Sequence, residues 1–211
     1  MMSIICPTIT ATNPKQFKTQ TDEVSKFAKR LHLDIGDDLF APRLLSIDQI
    51  QLPEVQTDIH VMFEYPGKVI QKLVDLKPNL VIIHYESDAN FNEISSMLKS
   101  SNIKFGMAIL QQTDAKVLSQ FKDILDHVLI FSGNLGFFGG HVDLGLIHKI
   151  DLIKKLNSDI EIGWDGGINL SNAKMLASSG VDVLNVGGYI HKSKDPYNAY
   201  ETLVESLEGR R

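Results

Sequence analysis

Short apolar runs alternate along this chain with longer segments of helical periodicity. A short run of β-branched residues predicts a buried strand, whereas apolar residues at i, i+3 and i+4 predict a helix that packs on one face. Eight strands are predicted, each followed by a helix candidate, at residues 3–8, 31–35, 59–63, 80–84, 103–109, 127–131, 160–164 and 181–186. This order is typical of repeated βα units around a parallel sheet.

The limits and buried faces of several helices can also be predicted. Asn13 is a suitable N-cap and Pro14 suits the first helical position, so the first helix should begin there, and we expect it to end near Arg30. Helical spacing recurs after the fourth strand and after the sixth, in two sets of apolar residues: Phe91, Ile94, Met97 and Leu98, and Leu146, Ile150 and Ile153. We interpret both sets as core positions.

The number of βα units favours one architecture. Eight units within 211 residues, with no Pro-, Gly- or Ser-rich linker, predict an α/β fold in which residues 1–211 form a single (β/α)8 TIM barrel. An open, doubly wound sheet is the alternative. Its dinucleotide-binding form needs a G-x-G-x-x-G turn after the first strand, but the residues there are TITATNPKQF. The barrel is therefore the preferred prediction.

Charge and composition narrow the choice of partners. The formal net charge is -5, which argues against nucleic acid or an anionic membrane surface as a partner. The chain has no apolar run long enough to span a membrane and no basic leader at its start, so we expect a cytoplasmic protein. Cys6 is the only cysteine, which excludes an intrachain disulfide and a thiolate metal cluster.

Polar side chains interrupt the predicted strands where a buried sheet would carry apolar ones. His32 and Asp34 share one face of the second strand, His60 lies on the third with Met62 on the same face, and Asp165 follows the seventh. Active sites of barrels lie at the carboxyl ends of the strands, where these residues would meet. Two imidazoles and two carboxylates suit a divalent metal ion such as Zn, Fe(II), Mn or Co. Each residue alone has an ordinary structural interpretation, but together they favour a functional site.

Paired glycines follow three successive strands. The pairs are Gly139 and Gly140 after the sixth strand, Gly166 and Gly167 after the seventh, and Gly187 and Gly188 after the eighth. Such pairs let backbone N–H groups approach an anion, and the loops after strands 7 and 8 are the usual phosphate site of a barrel. A metal site beside a phosphate site predicts a small phosphorylated substrate.

These residues resemble the ribulose-phosphate 3-epimerase family over nearly the whole chain. HLDIGDDLFAPR is similar to that family's H-V-D-V-M-D-G-x-F-V-P-N, DIHVMFEYP to D-V-H-L-M-V-x-x-P, and WDGGIN to V-D-G-G-I-N. The resemblance implies a ribulose-phosphate-binding barrel with a metal held by His32, Asp34, His60 and Asp165, in which the two aspartates are also the acid/base groups. It further implies that the paired glycines hold the phosphate and that Thr8 and Met62 lie near the substrate.

The implied reaction is inversion at C3 of a ketose phosphate, with D-ribulose 5-phosphate and D-xylulose 5-phosphate as the expected pair. A carboxylate can remove a proton beside a ketone only if the resulting enediolate is stabilised, which a bound cation can do. Inversion needs one carboxyl group on each side of the carbon, and strands 2 and 7 lie on different sides of an eight-stranded barrel. Asp34 and Asp165 meet this requirement.

The chain departs from the family pattern at several positions around the expected pocket. Gly36 replaces a methionine, Asp38 a glycine and Arg43 an asparagine, while Gly188 stands where a serine commonly helps to hold phosphate. The loop SGNLGFFGGH, residues 132–141, also differs from the usual N-P-G-F-G-G-Q. We expect the change at Gly36 to enlarge the cavity.

Two alternatives stay open at this point, and a third is disfavoured. The substrate could be another ketose phosphate, such as a hexulose 6-phosphate, or the chain could be a phosphosugar- and metal-binding barrel without catalysis. A decarboxylase similar to the orotidine-phosphate group is disfavoured, because its D-x-K-x-x-D motif needs a lysine where this chain has Gly36.

The role of His84 and the oligomeric state are also left open. His84 ends the fourth strand, where it either lines the pocket or packs. Family members are commonly oligomeric, but no apolar stripe here identifies an interface, so a homo-oligomer is left open.

Overall fold

A computed structural model describes residues 3–42, 44–137 and 140–208 of the chain. Eight parallel strands close into a barrel in the order in which they occur in the sequence. The strands are β1 (Ile4–Ile9), β2 (Arg30–Gly36), β3 (Gln56–Met62), β4 (Leu80–His84), β5 (Lys104–Ile109), β6 (His127–Phe131), β7 (Glu161–Asp165) and β8 (Val183–Val186). The predicted TIM barrel is therefore confirmed, and the open sheet is not formed.

Helices surround the barrel on its outside. They are α1 (Pro14–Val24), α2 (Ile70–Leu76), α3 (Phe91–Ser100), α4 (His148–Leu156), α5 (Ala173–Ser178), α6 (Gly188–His191) and α7 (Pro196–Glu208). Asn13 caps α1 as predicted, because its side chain accepts a hydrogen bond from the backbone N–H of Gln16 at 2.9 Å. None of the helices in the described ranges is long and apolar enough to cross a membrane.

The first helix ends earlier than its sequence predicts. The expected end near Arg30 is wrong: α1 stops at Val24, and the N–H of Ser25 bonds to the carbonyl of Thr21. Arg30 instead begins β2, where ionic partners hold its guanidinium. The chain therefore needs residues 25–29 to turn from the helix into the strand.

Two of the expected helices form as short 3-10 segments. The link after β2 carries Ile47–Gln49 and the link after β5 carries Ala115–Phe121. In both links packed apolar residues occur at a spacing of three, beside others such as Leu45 and Val117: Leu44, Ile47 and Ile50 in the first, and Ala115, Leu118 and Phe121 in the second. A period of three matches a 3-10 helix better than an α-helix.

The strands present alternate residues to two different cores. On β4, Val81 and Ile83 face outward into the large cluster beneath the helices. Leu80 and Ile82 point inward and pack with Ala108 and Leu129 in the barrel interior. Since the side chains of a strand alternate, His84 also points inward, one layer above Ile82.

An ionic network closes the amino end of the barrel. The Nε of Arg30 lies 2.7 Å from Asp58 Oδ2, and its two terminal nitrogens each lie 2.8 Å from a carboxylate oxygen of Glu161. His127 Nδ1 lies 2.8 Å from the same carboxylate. The fixed charges at this end leave the opposite, carboxyl end as the open mouth.

Candidate active site at the carboxyl end of the barrel

Four titratable side chains meet at the open mouth of the barrel. His32 and Asp34 come from β2, His60 from β3 and Asp165 from the last position of β7. All four are buried, and one potential ligand atom from each lies within 4.8 Å of the others. The strand register explains part of this meeting, because Asp34 and His60 are directly paired on neighbouring strands.

The distances within this cluster point its polar atoms toward a common centre. Asp34 Oδ1 lies 3.3 Å from His32 Nε2 and 3.0 Å from His60 Nδ1. Asp165 Oδ2 lies 3.8 Å and 4.0 Å from the same two nitrogens. The other oxygen of Asp34 accepts a hydrogen bond of 2.7 Å from the hydroxyl of Thr10, which holds the carboxylate in place.

This donor set fits a divalent cation. Neither ring nitrogen of His32 makes a well-oriented hydrogen bond within the described ranges, although the ring is fully buried. A buried imidazole without a partner loses free energy unless something else satisfies it. Two imidazole nitrogens and two carboxylate oxygens around one point form a mixed site of the kind that Zn²⁺, Mn²⁺, Fe²⁺ and Co²⁺ accept.

The two aspartates have opposite tendencies to bind a proton. Burial works against ionisation of Asp34, but the nearby imidazoles of His32 and His60 overcome it and hold the pKa of Asp34 well below its usual range. Burial and the neighbouring charge of Asp34 raise the pKa of Asp165 to about 7. Near neutral pH one carboxyl group is therefore ionised while the other retains a proton for a large part of the time.

The histidines also differ in charge. Burial lowers the pKa of His60 to about 3, so its imidazole is neutral and carries a hydrogen on one ring nitrogen and a lone pair on the other. Burial acts in the same direction on His32, but the nearby carboxylate of Asp34 outweighs it and raises the pKa of His32. A neutral imidazole is the form that can bind a metal ion.

A cavity of about 210 Å³ opens beside the four side chains. Asp34 and Asp165 form part of its wall, and so do Thr8 and Met62. Of the six glycines predicted to bind phosphate, five also line it: Gly140, Gly166, Gly167, Gly187 and Gly188. Gly139 lies outside the described residues, as does Arg43. The structure thus brings most of the described candidate residues to one cavity, and His32 and His60 lie buried behind its wall in the cluster with Asp34 and Asp165.

Glycine is required at the β7 loop for steric reasons. Gly166 has a φ of +107°, and a Cβ there would lie 2.2 Å from the backbone nitrogen of Gly133. A Cβ on Gly167 would lie 2.4 Å from the backbone nitrogen of Val142. The loop after β7 is therefore packed backbone to backbone against the loop after β6, which forms the floor of the cavity.

The expectation that Gly36 enlarges the cavity is wrong. Gly36 does not line the cavity, and a Cβ at this position would lie 2.5 Å from the carbonyl oxygen of Pro42. The backbone of the following loop has moved into the space that a side chain would need. Asp38 keeps a left-handed conformation with a φ of 69°, as its family counterpart glycine can.

Several residues of the site were missed in the sequence. Asn185, on β8, lines the cavity, and neither its amide nitrogen nor its amide oxygen has a hydrogen-bond partner within the described ranges. A polar residue in the apolar run VLNV was the available signal. Lys192 and Tyr189 line the mouth from α6 and its end. Nothing in the spacing of the sequence singled these two out.

His84 does not line the cavity but contacts the cluster from behind. Its Nε2 lies 2.8 Å from Nε2 of His60, and its Nδ1 lies 3.3 Å from Oε2 of Glu86. The sequence left His84 between a pocket role and a packing role, and gave no reason to consider Glu86. The period of two along β4 indicated only that His84 faces inward.

The sequence has close counterparts among characterised families. A profile described as the ribulose-phosphate 3 epimerase family matches residues 4–191. A ribulose-phosphate 3-epimerase of Helicobacter pylori is 29% identical over 209 residues, which cover 94% of this chain and 95% of that protein. Another, of Buchnera aphidicola, is 31% identical over 186 residues, with 82% and 81% covered.

Solved structures share the same barrel at much lower identity. A 3-hexulose-6-phosphate synthase from Salmonella typhimurium superposes with a TM-score of 0.73 at 15% identity over the full length of both chains. A 3-keto-L-gulonate-6-phosphate decarboxylase from Vibrio cholerae gives a TM-score of 0.74 at 10% identity over 99% of each. These two likenesses concern the fold alone. The match along residues 4–191, carried by a chain with this barrel and this cluster, shows that the protein belongs to the ribulose-phosphate 3-epimerase family, and it is an isomerase that acts on carbohydrates.

Proposed function

We propose that this protein inverts C3 of a ketose phosphate, interconverting D-ribulose 5-phosphate and D-xylulose 5-phosphate, with a divalent cation at His32, Asp34, His60 and Asp165. One observation carries the proposal: two carboxyl groups from different strands and two imidazoles face the same cation-sized centre beside a glycine-lined cavity. The relatives from Helicobacter pylori and Buchnera aphidicola are named ribulose-phosphate 3-epimerases, which supports a ribulose phosphate as the substrate and C3 as the reacting carbon.

The cation would supply stabilisation of the negative charge that develops on the substrate's carbonyl oxygen as the neighbouring C–H bond breaks. The chain's own part is to hold two imidazole nitrogens and two carboxylate oxygens in place for it. Thr10 fixes one oxygen of Asp34 for this purpose. The full burial of His32 and His60 keeps water from competing for their nitrogens.

Asp34 and Asp165 perform the proton transfers. The ionised Asp34 takes the proton from C3 on one face, and the protonated Asp165 delivers its proton to the other face, so the configuration inverts. The reverse reaction starts from the opposite protonation states. The two carboxyl groups come from strands separated by β1 and β8, which lets them approach one carbon from different directions.

The glycine loops bind the phosphate group. Seven glycines among the described residues line the cavity on the side of β6, β7 and β8, five of them predicted, and glycine allows backbone N–H groups to approach an anion closely. Lys192 is the one cationic side chain among the described residues that line the cavity, and it adds positive charge at the mouth. The hydroxyl of Thr8 and the amide of Asn185, which have no hydrogen-bond partner among the described residues, face the same space and are available to the sugar hydroxyls.

A comparison of substrates tests this proposal. Purified protein loaded with Zn²⁺, Mn²⁺, Fe²⁺ or Co²⁺ is assayed with D-ribulose 5-phosphate and with a hexulose 6-phosphate. We expect epimerisation of ribulose 5-phosphate with the higher kcat/KM. A higher kcat/KM for the hexulose phosphate would identify that sugar as the substrate instead. Binding of both sugars without turnover by any loaded form would show that the protein is a binding module.

A further inference from the structure

His84 is a buried histidine that the proposed reaction does not use. It lies on β4 next to β3, points into the barrel and is fully buried. Its Nε2 lies 2.8 Å from Nε2 of His60, the nitrogen that faces away from the cation site. The other nitrogen of His60, Nδ1, lies 3.0 Å from Asp34 and is the one that faces the site.

Two imidazole nitrogens at hydrogen-bond distance must share one proton. If His60 donates, its Nε2 carries the hydrogen and its Nδ1 has a free lone pair for a cation. If His84 donates, the hydrogen of a neutral His60 moves to Nδ1 and blocks the ligand atom. In the absence of a cation, the carboxylate of Asp34 favours the blocked form, because it can accept a hydrogen bond from Nδ1 of His60. The direction of the hydrogen bond between the rings therefore decides whether His60 can bind.

Glu86 determines that direction. Its Oε2 lies 3.3 Å from Nδ1 of His84, and its Oε1 accepts hydrogen bonds from the backbone N–H of Leu110, at 3.0 Å, and from the hydroxyl of Thr113. An ionised carboxylate can only accept, so Nδ1 of His84 must carry the hydrogen. Nε2 of a neutral His84 then has the lone pair and accepts from His60.

The surroundings hold Glu86 in this orientation. Leu110 and Thr113 belong to the loop after β5, and the ammonium group of Lys149 on α4 donates to the carbonyl oxygens of both residues at 2.9 Å and 2.8 Å. Lys149 is itself buried. The helical layer is thus linked to the cation site by five successive groups: Lys149, the loop after β5, Glu86, His84 and His60.

We propose that His84 and Glu86 are positioning residues that keep Nδ1 of His60 free of hydrogen and so set the affinity of the site for divalent cations. The inference rests on the proposed function, because it concerns the cation used there. Hydrogen-bond partners of metal-binding histidines fix the ring orientation and the protonated nitrogen, and losing them typically lowers metal affinity about 10–100-fold.

The substitution Glu86→Gln reverses the hydrogen-bond direction without changing the size of the side chain. The N–H of Leu110 can only donate, so it retains the amide oxygen of the glutamine, and the NH₂ group then faces Nδ1 of His84. His84 must respond by donating from Nε2 to His60. We expect the affinity for Zn²⁺ and Co²⁺, measured by competition with a chromophoric chelator, to fall about 10–100-fold.

A matched control is available at the next loop. Glu64 follows β3 at the same end of the barrel, and its side chain contacts none of the cluster residues in the structure's hydrogen bonds and ion pairs. Glu64→Gln makes the same chemical change and should leave cation affinity within about twofold of the parent. Circular dichroism and thermal unfolding of the cation-free proteins establish that both variants fold.

A spectroscopic measurement separates positioning from simple support of the fold. In the Zn²⁺-loaded protein, long-range ¹⁵N–¹H spectra should show His84 protonated at Nδ1, and in Glu86→Gln they should show it protonated at Nε2. A loss of packing alone would not exchange the two nitrogens. Finding the Nε2-protonated form in the parent protein would overturn the inference.

The remaining outcomes distinguish this inference from the proposed function. If the parent binds cations and Glu86→Gln binds them equally well, the inference is overturned and the proposed function stands. If the parent binds no divalent cation, both are overturned. If Glu86→Gln does not fold, His84→Gln, whose carbonyl can accept from His60, should bind about tenfold more tightly than His84→Leu. Equal affinities of that pair would also overturn the inference.

Discussion

Asp34 and Asp165 carry the same carboxyl group in surroundings that separate their proton affinities. Asp34 is held between two imidazoles and the hydroxyl of Thr10, so its charge is stabilised. Asp165 is buried beside that charge, and no side-chain donor bonds to it in the described ranges at ordinary hydrogen-bond distance. The difference arises from the environment of each residue, and no sequence motif encodes it directly.

Asp165→Asn tests the role of the second carboxyl group. The variant cannot deliver or accept the proton, so we expect kcat/KM for ribulose 5-phosphate to fall by about 10²–10⁴. Asp88→Asn, at an exposed position after β4, is the control and should keep the parent rate. A rate for Asp165→Asn within tenfold of the parent would exclude Asp165 as an acid/base group.

The steric requirement for glycine at position 166 leads to a prediction about stability. An alanine there combines a φ of +107° with a contact of 2.2 Å to backbone, so we expect Gly166→Ala to lower the free energy of unfolding by about 2–5 kcal/mol. Gly67→Ala is the control, because a Cβ there meets nothing within 4 Å. Urea unfolding measures both. Equal stabilities would show that the β6 and β7 loops separate readily.

The elements of the barrel were largely predictable from the sequence. The runs LVIIH and HVLIF form β4 and β6 at the predicted residues, because buried parallel strands are continuous apolar segments. His32, Asp34, His60 and Asp165 stood out because polar side chains are unexpected there. The 3-10 segments were not predicted, since periods of three and of 3.6 are hard to tell apart over so few residues. Lys192 and Glu86 were missed because only the folded loops bring them to the site.

Lys149 shows how one helix supports a loop at the mouth. From α4, its Nζ donates to the carbonyl oxygens of Leu110, Gln111 and Thr113 at 2.8–2.9 Å. Lys149→Met keeps the buried stem but leaves these three acceptors without their charged donor, so we expect a loss of about 2–4 kcal/mol in the free energy of unfolding.

The control for this prediction lies on the same helix. Lys155 is exposed near the end of α4, and Lys155→Met should change the free energy of unfolding by no more than about 0.5 kcal/mol. Urea unfolding of the two variants gives the comparison. If both lose the same small amount, the bonds from Lys149 to the loop contribute nothing to stability.

The two ends of the barrel carry different sets of polar side chains. At the amino end ion pairs join Arg30, Asp58, Glu161 and His127, although Nε2 of His127 has no hydrogen-bond partner in the described ranges. At the carboxyl end the polar atoms of His32, Thr8 and Asn185 have no partners in the described ranges. Buried polar groups are normally paired, so the unpaired side chains of Thr8 and Asn185, which line the cavity, indicate a place where a ligand can complete the structure.

The ionic network predicts how stability depends on pH. Burial opposes ionisation of Glu161, but its hydrogen bonds with Arg30 and His127 overcome this and lower its pKa far below the usual value. A carboxyl group with a depressed pKa contributes stability above the pKa of the unfolded state, about 4.3, and loses it as the pH falls toward the folded-state value. The free energy of unfolding should therefore fall as the pH decreases below about 5.

The variant Glu161→Gln shows how much of this loss in the free energy of unfolding is due to Glu161. The variant cannot titrate at this position, so its free energy of unfolding should fall less than that of the parent over the same pH range. Glu54→Gln, at an exposed position, should keep the parental slope. Parallel slopes for the parent and Glu161→Gln in urea unfolding would show that the network does not contribute to acid sensitivity.

Exchange of the C3 hydrogen with solvent tests the central claim most directly. The protein is freed of metal with a chelator, reloaded with Zn²⁺, Mn²⁺, Fe²⁺ or Co²⁺, and incubated with D-ribulose 5-phosphate in D₂O while NMR follows C3. We predict that deuterium enters C3 as xylulose 5-phosphate forms, only in the loaded protein. Tight binding of the sugar by every loaded form, with no deuterium at C3, would contradict catalysis by Asp34 and Asp165.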